Sequence, residues 1–188
     1  MKMINIFLII FSYLYIHAGL NSQENDILIE IPIGTIEKWE YNHVLGAIIR
    51  DSDKNSNPRN INYIAYPFNY GIVINTLNKE DDDPLDAVVF GSRLEKGDKI
   101  KAKAIAVVKT IDSYEKDYKI IFAHHTSPLY KVNDKDELEK LYPGVIEIVS
   151  LFFENYKRNK SNVIGVGDEK LANKLIFDSK IQFNRLKD

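Results

Sequence analysis

The run Lys99-Ile100-Lys101-Ala102-Lys103-Ala104-Ile105-Ala106-Val107-Val108 alternates in its first half. Ile100, Ala102, Ala104 and Ala106 fall between Lys99, Lys101 and Lys103, which is the two-residue period of a strand with one buried and one wet face. Gly97-Asp98 marks the turn before it. Working outward, residues 119–123, 87–90 and 70–74 are rich in β-branched, apolar and aromatic side chains and read as strands, and residues 27–31, 38–41 and 46–49 read as shorter ones. Residues 51–60 are polar and read as a loop. Downstream the period changes. Val145, Ile148, Val149, Phe152, Phe153 and Tyr156 fall at helical spacing behind Pro143-Gly144. A last helix is expected from Asp168, a good N-cap, to near Leu186, burying Ala172, Leu175, Ile176, Ser179 and Phe183. Many short strands followed by two helices predict an α+β fold with a closed or partly closed barrel.

The 188 residues suit a single domain with a sizeable core, and no linker divides them. A formal net charge of -2 offers no basic field of the kind that binds nucleic acid. The absence of cysteine excludes disulfides, thiolate metal sites and thiol nucleophiles.

Residues 1–20 differ in character. Lys2 is their only charged residue, an apolar run of Ile, Leu, Phe and Tyr follows, and His17-Ala18-Gly19 leads into a polar stretch. This reads as a secretory signal peptide, with cleavage after Ala18, Gly19 or Ser22, and predicts a mature domain over residues 21–188 in the periplasm or medium. Such a chain keeps no stable membrane association after cleavage. An uncleaved membrane anchor or an upstream start-codon artefact is the competing reading; a misread segment of the latter kind would leave the protein in the cytoplasm.

The acidic run Glu80-Asp81-Asp82-Asp83-Pro84-Leu85-Asp86 concentrates like charges that raise one another's pKa, a penalty that a divalent cation reverses. Pro84 stiffens the loop. A calcium loop of the EF-hand type fails, because Leu85 takes the third ligand position and the required Gly is missing. A solvated acidic turn would explain the run equally well if it stood alone. It does not: Asp112, Asp117 and Lys119 cluster at the end of the long strand. Lys38 and Glu40 flank Trp39 and share one side of a strand. Tyr66-Pro67-Phe68-Asn69-Tyr70-Gly71 presents two phenolic donors, Arg59 lies just upstream, and Tyr156-Lys157 ends the amphipathic helix. Each has an ordinary structural reading taken singly. His124-His125 is expected to be structural, because neighbours on a strand point to opposite faces.

Together these residues resemble the family I soluble inorganic pyrophosphatases. Asp81-Asp82-Asp83-Pro84-Leu85-Asp86 is similar to that family's Asp-x-Asp-Pro-x-Asp signature. Ile29-Glu30-Ile31-Pro32, Lys38-Trp39-Glu40, the Tyr66 to Gly71 motif, the Asp112, Asp117 and Lys119 cluster, and Phe152-Phe153-Glu154-Asn155-Tyr156-Lys157 follow in the family's order. The resemblance implies an OB-like five-stranded barrel with flanking helices and a homo-oligomeric assembly. It implies hydrolysis of pyrophosphate by a metal-activated water, with Mg²⁺ as cofactor. Asp83 would be the general base. Asp81, Asp86, Asp112 and Asp117 would hold metal, with Glu30 acting through water. Lys38, Arg59, Tyr70, Lys119, Tyr156 and Lys157 would grip the substrate, and Glu40 and Tyr66 would line the site.

Three departures from the family pattern stand out. Residues 50–62 are longer than in compact members, so that Arg50 competes with Arg59 for the substrate arginine. Ser113 stands where many members carry another acid, and Trp39 replaces a Tyr or Phe. The alternatives are a metal-dependent phosphohydrolase of another phosphoanhydride and a non-catalytic, exported, cation-binding β-barrel module.

Overall fold

Ile27, Ile29, Val73, Val89, Ile120 and Phe122 bury completely or nearly so, and the strands that carry them close into a ring. The computed structural model describes residues 24–79, 82–157 and 161–186. The signal-peptide reading of residues 1–20 and the metal-ligand reading of Asp81 both fall outside the described residues.

Nine strands and three α-helices are present among the described residues: β1 Glu24–Ile31, β2 Trp39–Asn42, β3 Ala47–Arg50, β4 Asn69–Val73, β5 Asp86–Phe90, β6 Lys99–Asp112, β7 Glu115–Lys116, β8 Lys119–His124, α1 Lys135–Leu141, α2 Val145–Asn155, β9 Ser161–Asp168 and α3 Glu169–Arg185. The ring runs β1-β4-β5-β8-β6 and closes where β1 pairs with β6, from Glu24↔Lys103 to Leu28↔Lys99. Closure removes the sheet edges that would otherwise invite another chain. β2 and β3 form a separate antiparallel hairpin, in which Trp39 faces Arg50. This is the α+β, OB-like five-stranded barrel that the resemblance implied.

Each layer of the ring has its own cover. Phe68, Tyr66 and Ile105 pack with Phe152 and Phe153 of α2. Ile27, Val107 and Phe122 pack with Ala172 and Ile176 of α3. Asp168 caps α3 as expected, its side chain accepting from the Leu171 N–H at 2.9 Å. Of the expected stripe, Ala172, Ile176 and Ser179 are buried, and Leu175 and Phe183 partly so.

Two expectations fail locally. The wet lysine face of β6 holds only at Lys99 and Lys101, whereas Lys103 is 6% exposed. There the 3-10 turn Pro128–Lys131 lays the Tyr130 ring 5.3 Å from its ammonium, and burial lowers the lysine pKa. His124 and His125 do not diverge. β8 ends at His124, so His125 leaves the alternation and the two ring centroids lie 4.0 Å apart.

Candidate active site

Topology brings the predicted residues to one end of the ring. β5 and β8 run parallel with Asp86 beside Lys119, so both strands begin at the same rim. β6 runs antiparallel to β8 and ends there at Asp112. A two-residue turn follows, Ser113 (φ 52°) and Tyr114 (φ 76°), both left-handed as such hairpins require, and it sets Asp112 opposite Glu115. Tyr70 and Glu30 reach the rim from β4 and β1, and α2 delivers Tyr156 and Lys157 at its C-terminal end.

The result is a cleft of about 340 Å³. Its walls include Glu30, Lys38, Glu40, Tyr66, Tyr70, Asp83, Asp86, Asp112, Asp117, Lys119, Tyr156 and Lys157, which among the described residues is every predicted site residue except Arg59. Arg59 lies in an adjoining pocket of about 230 Å³ that shares Lys38, Tyr156 and Lys157 with the cleft. Arg50 lines neither pocket. It bonds Glu37 at 2.9 Å and Asn60, and sits 5.3 Å from the Trp39 ring. Three wall residues were missed in the sequence: Tyr41, Ile72 and Glu115. Only Tyr41 left a usable trace, one residue past the Lys-Trp-Glu motif.

The electrostatics are those of carboxylates interleaved with ammonium groups. Lys119 donates to both Asp86 and Asp117 with its side chain 2% exposed. Burial works against its charge, but the two carboxylates outweigh it and hold its pKa above the ordinary lysine range. Burial also lifts Asp86 to about 6 despite Lys119, while for Asp117 the Lys119 and Lys157 ammonium groups win and the pKa falls. Lys157 donates to Asp112 and is held at about 12, with Tyr156 and Asp112 outweighing its burial. Glu30 is buried, accepts from the Tyr41 N–H at 2.6 Å, and is lifted by burial to about 8. Burial and then Glu40 raise Asp83. Burial pushes Tyr66 and Tyr70 well above the ordinary phenol range, so both stay protonated donors. Lys38 donates to Glu40, as the strand spacing predicted. The Trp39 ring has the Lys96 ammonium 3.0 Å from its centroid.

The donor set is all oxygen, which fits a hard divalent cation that keeps several waters. Among the described residues no three carboxylates converge closely enough to enclose an ion alone. Asp86 and Asp117 are instead bridged by Lys119, and Asp112 by Lys157. The lining carries more carboxylates than ammonium groups, which suits a polyanionic ligand that arrives with cations.

Comparison with known proteins agrees. The family model described as inorganic pyrophosphatase matches residues 27–184. Soluble inorganic pyrophosphatase 3 of Arabidopsis thaliana is 33% identical over 144 residues, covering 76% of this chain and 62% of its own length. The chain thus spans less than two thirds of that relative. Soluble inorganic pyrophosphatase 2 of Chlamydomonas reinhardtii is 33% identical over 170 residues, 87% of this chain and 83% of its own. In fold, the chain is similar to the N-terminally truncated vacuolar soluble pyrophosphatase of Trypanosoma cruzi crystallised with PPi (TM-score 0.83, 24% identity, 90% of this chain and 72% of that one).

Proposed function

The chain belongs to the inorganic pyrophosphatase family, and from that premise we propose that it hydrolyses inorganic pyrophosphate to two phosphates. The observation that carries this is the single cleft in which Lys38, Lys119 and Lys157 stand among Asp83, Asp86, Asp112 and Asp117.

Pyrophosphate resists attack because its oxygens shield both phosphorus atoms with negative charge. Lys38, Lys119, Lys157 and Arg59 neutralise that charge, and Tyr70 and Tyr156 donate to the same oxygens. Lys119 and Lys157 stay cationic at neutral pH because their carboxylate partners hold their pKa values up. Asp83 lines the cleft and would take the proton of the attacking water, and its raised pKa makes it a better acceptor than an ordinary aspartate. As the new P–O bond forms, the bridging P–O bond breaks and its electron pair leaves with the second phosphate. Glu40 holds Lys38, and Tyr66 lines the cleft.

The family implies a divalent cation requirement, and Mg²⁺ is our choice. Asp86, Asp112 and Asp117, with Asp81 and a water-mediated Glu30, would hold it. When bound, it supplies charge neutralisation and lowers the pKa of water. Export of the mature chain and its assembly into a homo-oligomer belong to the same proposal; recovery of the native protein from a cytosolic fraction would overturn export.

The test is phosphate release from pyrophosphate with Mg²⁺, beside an EDTA control, the Asp83→Asn variant, tripolyphosphate and ATP. Metal-dependent release that is fastest on pyrophosphate and falls steeply in the variant is expected. Preference for tripolyphosphate or ATP would move the reading to another phosphoanhydride. No release from a folded protein with any divalent ion would overturn it.

A further inference from the structure

Residues 51–59 form a self-bonded excursion on the β2–β3 side of the cleft. Asp53 organises its tip: Oδ1 accepts from the N–H groups of Asn55 at 2.8 Å and Asn57 at 2.9 Å, and Asp53 N donates to Asn57 O at 2.9 Å. Ser52 and Pro58 then bridge, which returns the chain beside its own start. At the base three residues close a cycle of backbone hydrogen bonds. Lys38 N donates to Arg59 O at 3.1 Å, Arg59 N to Asp51 O at 2.8 Å, and Asp51 N to Lys38 O at 3.1 Å. The side chains repeat the triangle: Asp51 Oδ2 accepts from Arg59 Nη1 at 2.6 Å and pairs with Lys38 Nζ at 3.0 Å.

We propose that Asp51 is a positioning residue that sets Lys38 and Arg59 over the phosphate-binding pocket, a role that rests on the pyrophosphatase reading. Two cations that share one carboxylate oxygen would otherwise repel and swing apart. The Asp51 side chain is only 11% exposed, so its hold on them is poorly screened. It engages one nitrogen of the Arg59 fork, and Arg59 lines the pocket shared with Tyr156 and Lys157, where the rest of the fork can meet phosphate oxygens. The excursion explains how an arginine displaced along the sequence still reaches the site: its length is absorbed within 51–59, and its two ends are locked together. Asp51 is not in the cleft wall and touches no substrate; it acts through the two residues that do.

The proposal has an unusual sign. Removing an anion beside an anion site raises the local positive potential, so charge balance alone predicts tighter binding of phosphate compounds. Positioning predicts weaker binding. The experiment measures kcat and KM for pyrophosphate with Mg²⁺, and calorimetric affinity for imidodiphosphate, in wild type, Asp51→Asn, Asp51→Glu, Arg59→Gln and Asp51→Asn/Arg59→Gln, with circular dichroism and melting as folding controls. Asp51→Asn is expected to raise KM and lower kcat/KM by about 10- to 100-fold, with a parallel loss of imidodiphosphate affinity. Asp51→Glu keeps the charge but displaces it by a methylene, so it too is expected to lose affinity, and it decides the matter if Asp51→Asn does not fold. In the Arg59→Gln background the Asp51→Asn effect is expected to shrink markedly. Unchanged or tighter imidodiphosphate binding in a folded variant, or an undiminished effect without Arg59, overturns the role. A wild type that binds imidodiphosphate but releases no phosphate sinks the hydrolase reading alone, and the binding comparison still decides Asp51. A wild type that binds neither overturns both.

Discussion

Lys119 shows how one residue serves both stability and the site. It lies buried between Asp86 and Asp117, a position that parallel pairing of β5 and β8 dictates. Lys119→Met is expected to cost about 3–5 kcal/mol in urea unfolding at pH 7, because two buried carboxylates lose their shared cation. The loss should be smaller at pH 5, where Asp86, already lifted to about 6, takes up a proton. An equal loss at both pH values would mean that Lys119 acts through packing. Glu30 gives the second pH signature. Burial holds it at about 8 against an ordinary 4.5, so in the folded, metal-free chain it keeps a proton that the unfolded chain releases. Its contribution to stability is therefore fully present below about pH 4.5 and is lost as pH rises through about 8. Glu30→Gln should flatten this decline in melts run with EDTA between pH 4.5 and 9; an unchanged slope would assign it to other groups.

At the scale of elements, Gly71 carries a sharp constraint inside the Tyr66 to Gly71 motif. A Cβ there would stand 1.9 Å from the Leu28 carbonyl oxygen, a backbone atom of β1 that cannot swing away. Gly71→Ala should destabilise by at least about 2 kcal/mol, read by chemical denaturation, because the β1–β4 pairing at Ile29↔Gly71 must separate. A near-neutral variant would show that β1 yields easily. The strands that form the ring were legible because Ile, Val and Ala dominate them and turn residues bound them, and α2 and α3 were legible from their stripes and from the Asp168 cap. β9 was not. Its Gly165 and Gly167 weaken a strand signal, yet each has a local reason: Gly165 sits at φ 151° where the β6 register shifts, and a Cβ on Gly167 would meet Val107 Cγ1 at 2.7 Å. α1 has seven residues, too few to establish a period, and only its Asp134 cap marked it. Among site residues, Asp86, Asp112 and Lys119 were readable at strand ends and Lys157 at the end of an amphipathic helix, whereas Asp51 was hidden. Its partners Lys38 and Arg59 lie 13 and 8 residues away in sequence, and only the folded excursion brings all three together.

For the molecule as a whole, the ring has two covered faces and one polar rim, so the rim is where binding energy is linked to global stability. α2 covers one core layer and also delivers Tyr156 and Lys157; β1 closes the ring and also carries Glu30. Any ligand that joins Asp86, Asp112 and Asp117 to Lys157 therefore clamps elements that must separate on unfolding. A species that binds only the folded chain stabilises it by about 2.7 kcal/mol at 100 times its Kd. For a domain of this size that corresponds to roughly 5–10 °C in Tm. Mg²⁺ alone is expected to raise Tm, and Mg²⁺ with orthophosphate to raise it further, since phosphate adds Lys38, Arg59 and Lys157 to the clamp. Asp117→Asn should abolish most of the Mg²⁺ shift, while Lys101→Gln, whose ion pair with Asp26 lies on the outer surface, should leave it intact. The decisive comparison is phosphate without metal. If phosphate alone gave the full shift, the carboxylates would be bystanders and the basic pocket would be the whole site. A shift that requires both means that the acidic and basic halves of the rim work as one site, which metal-assisted cleavage of a phosphoanhydride demands.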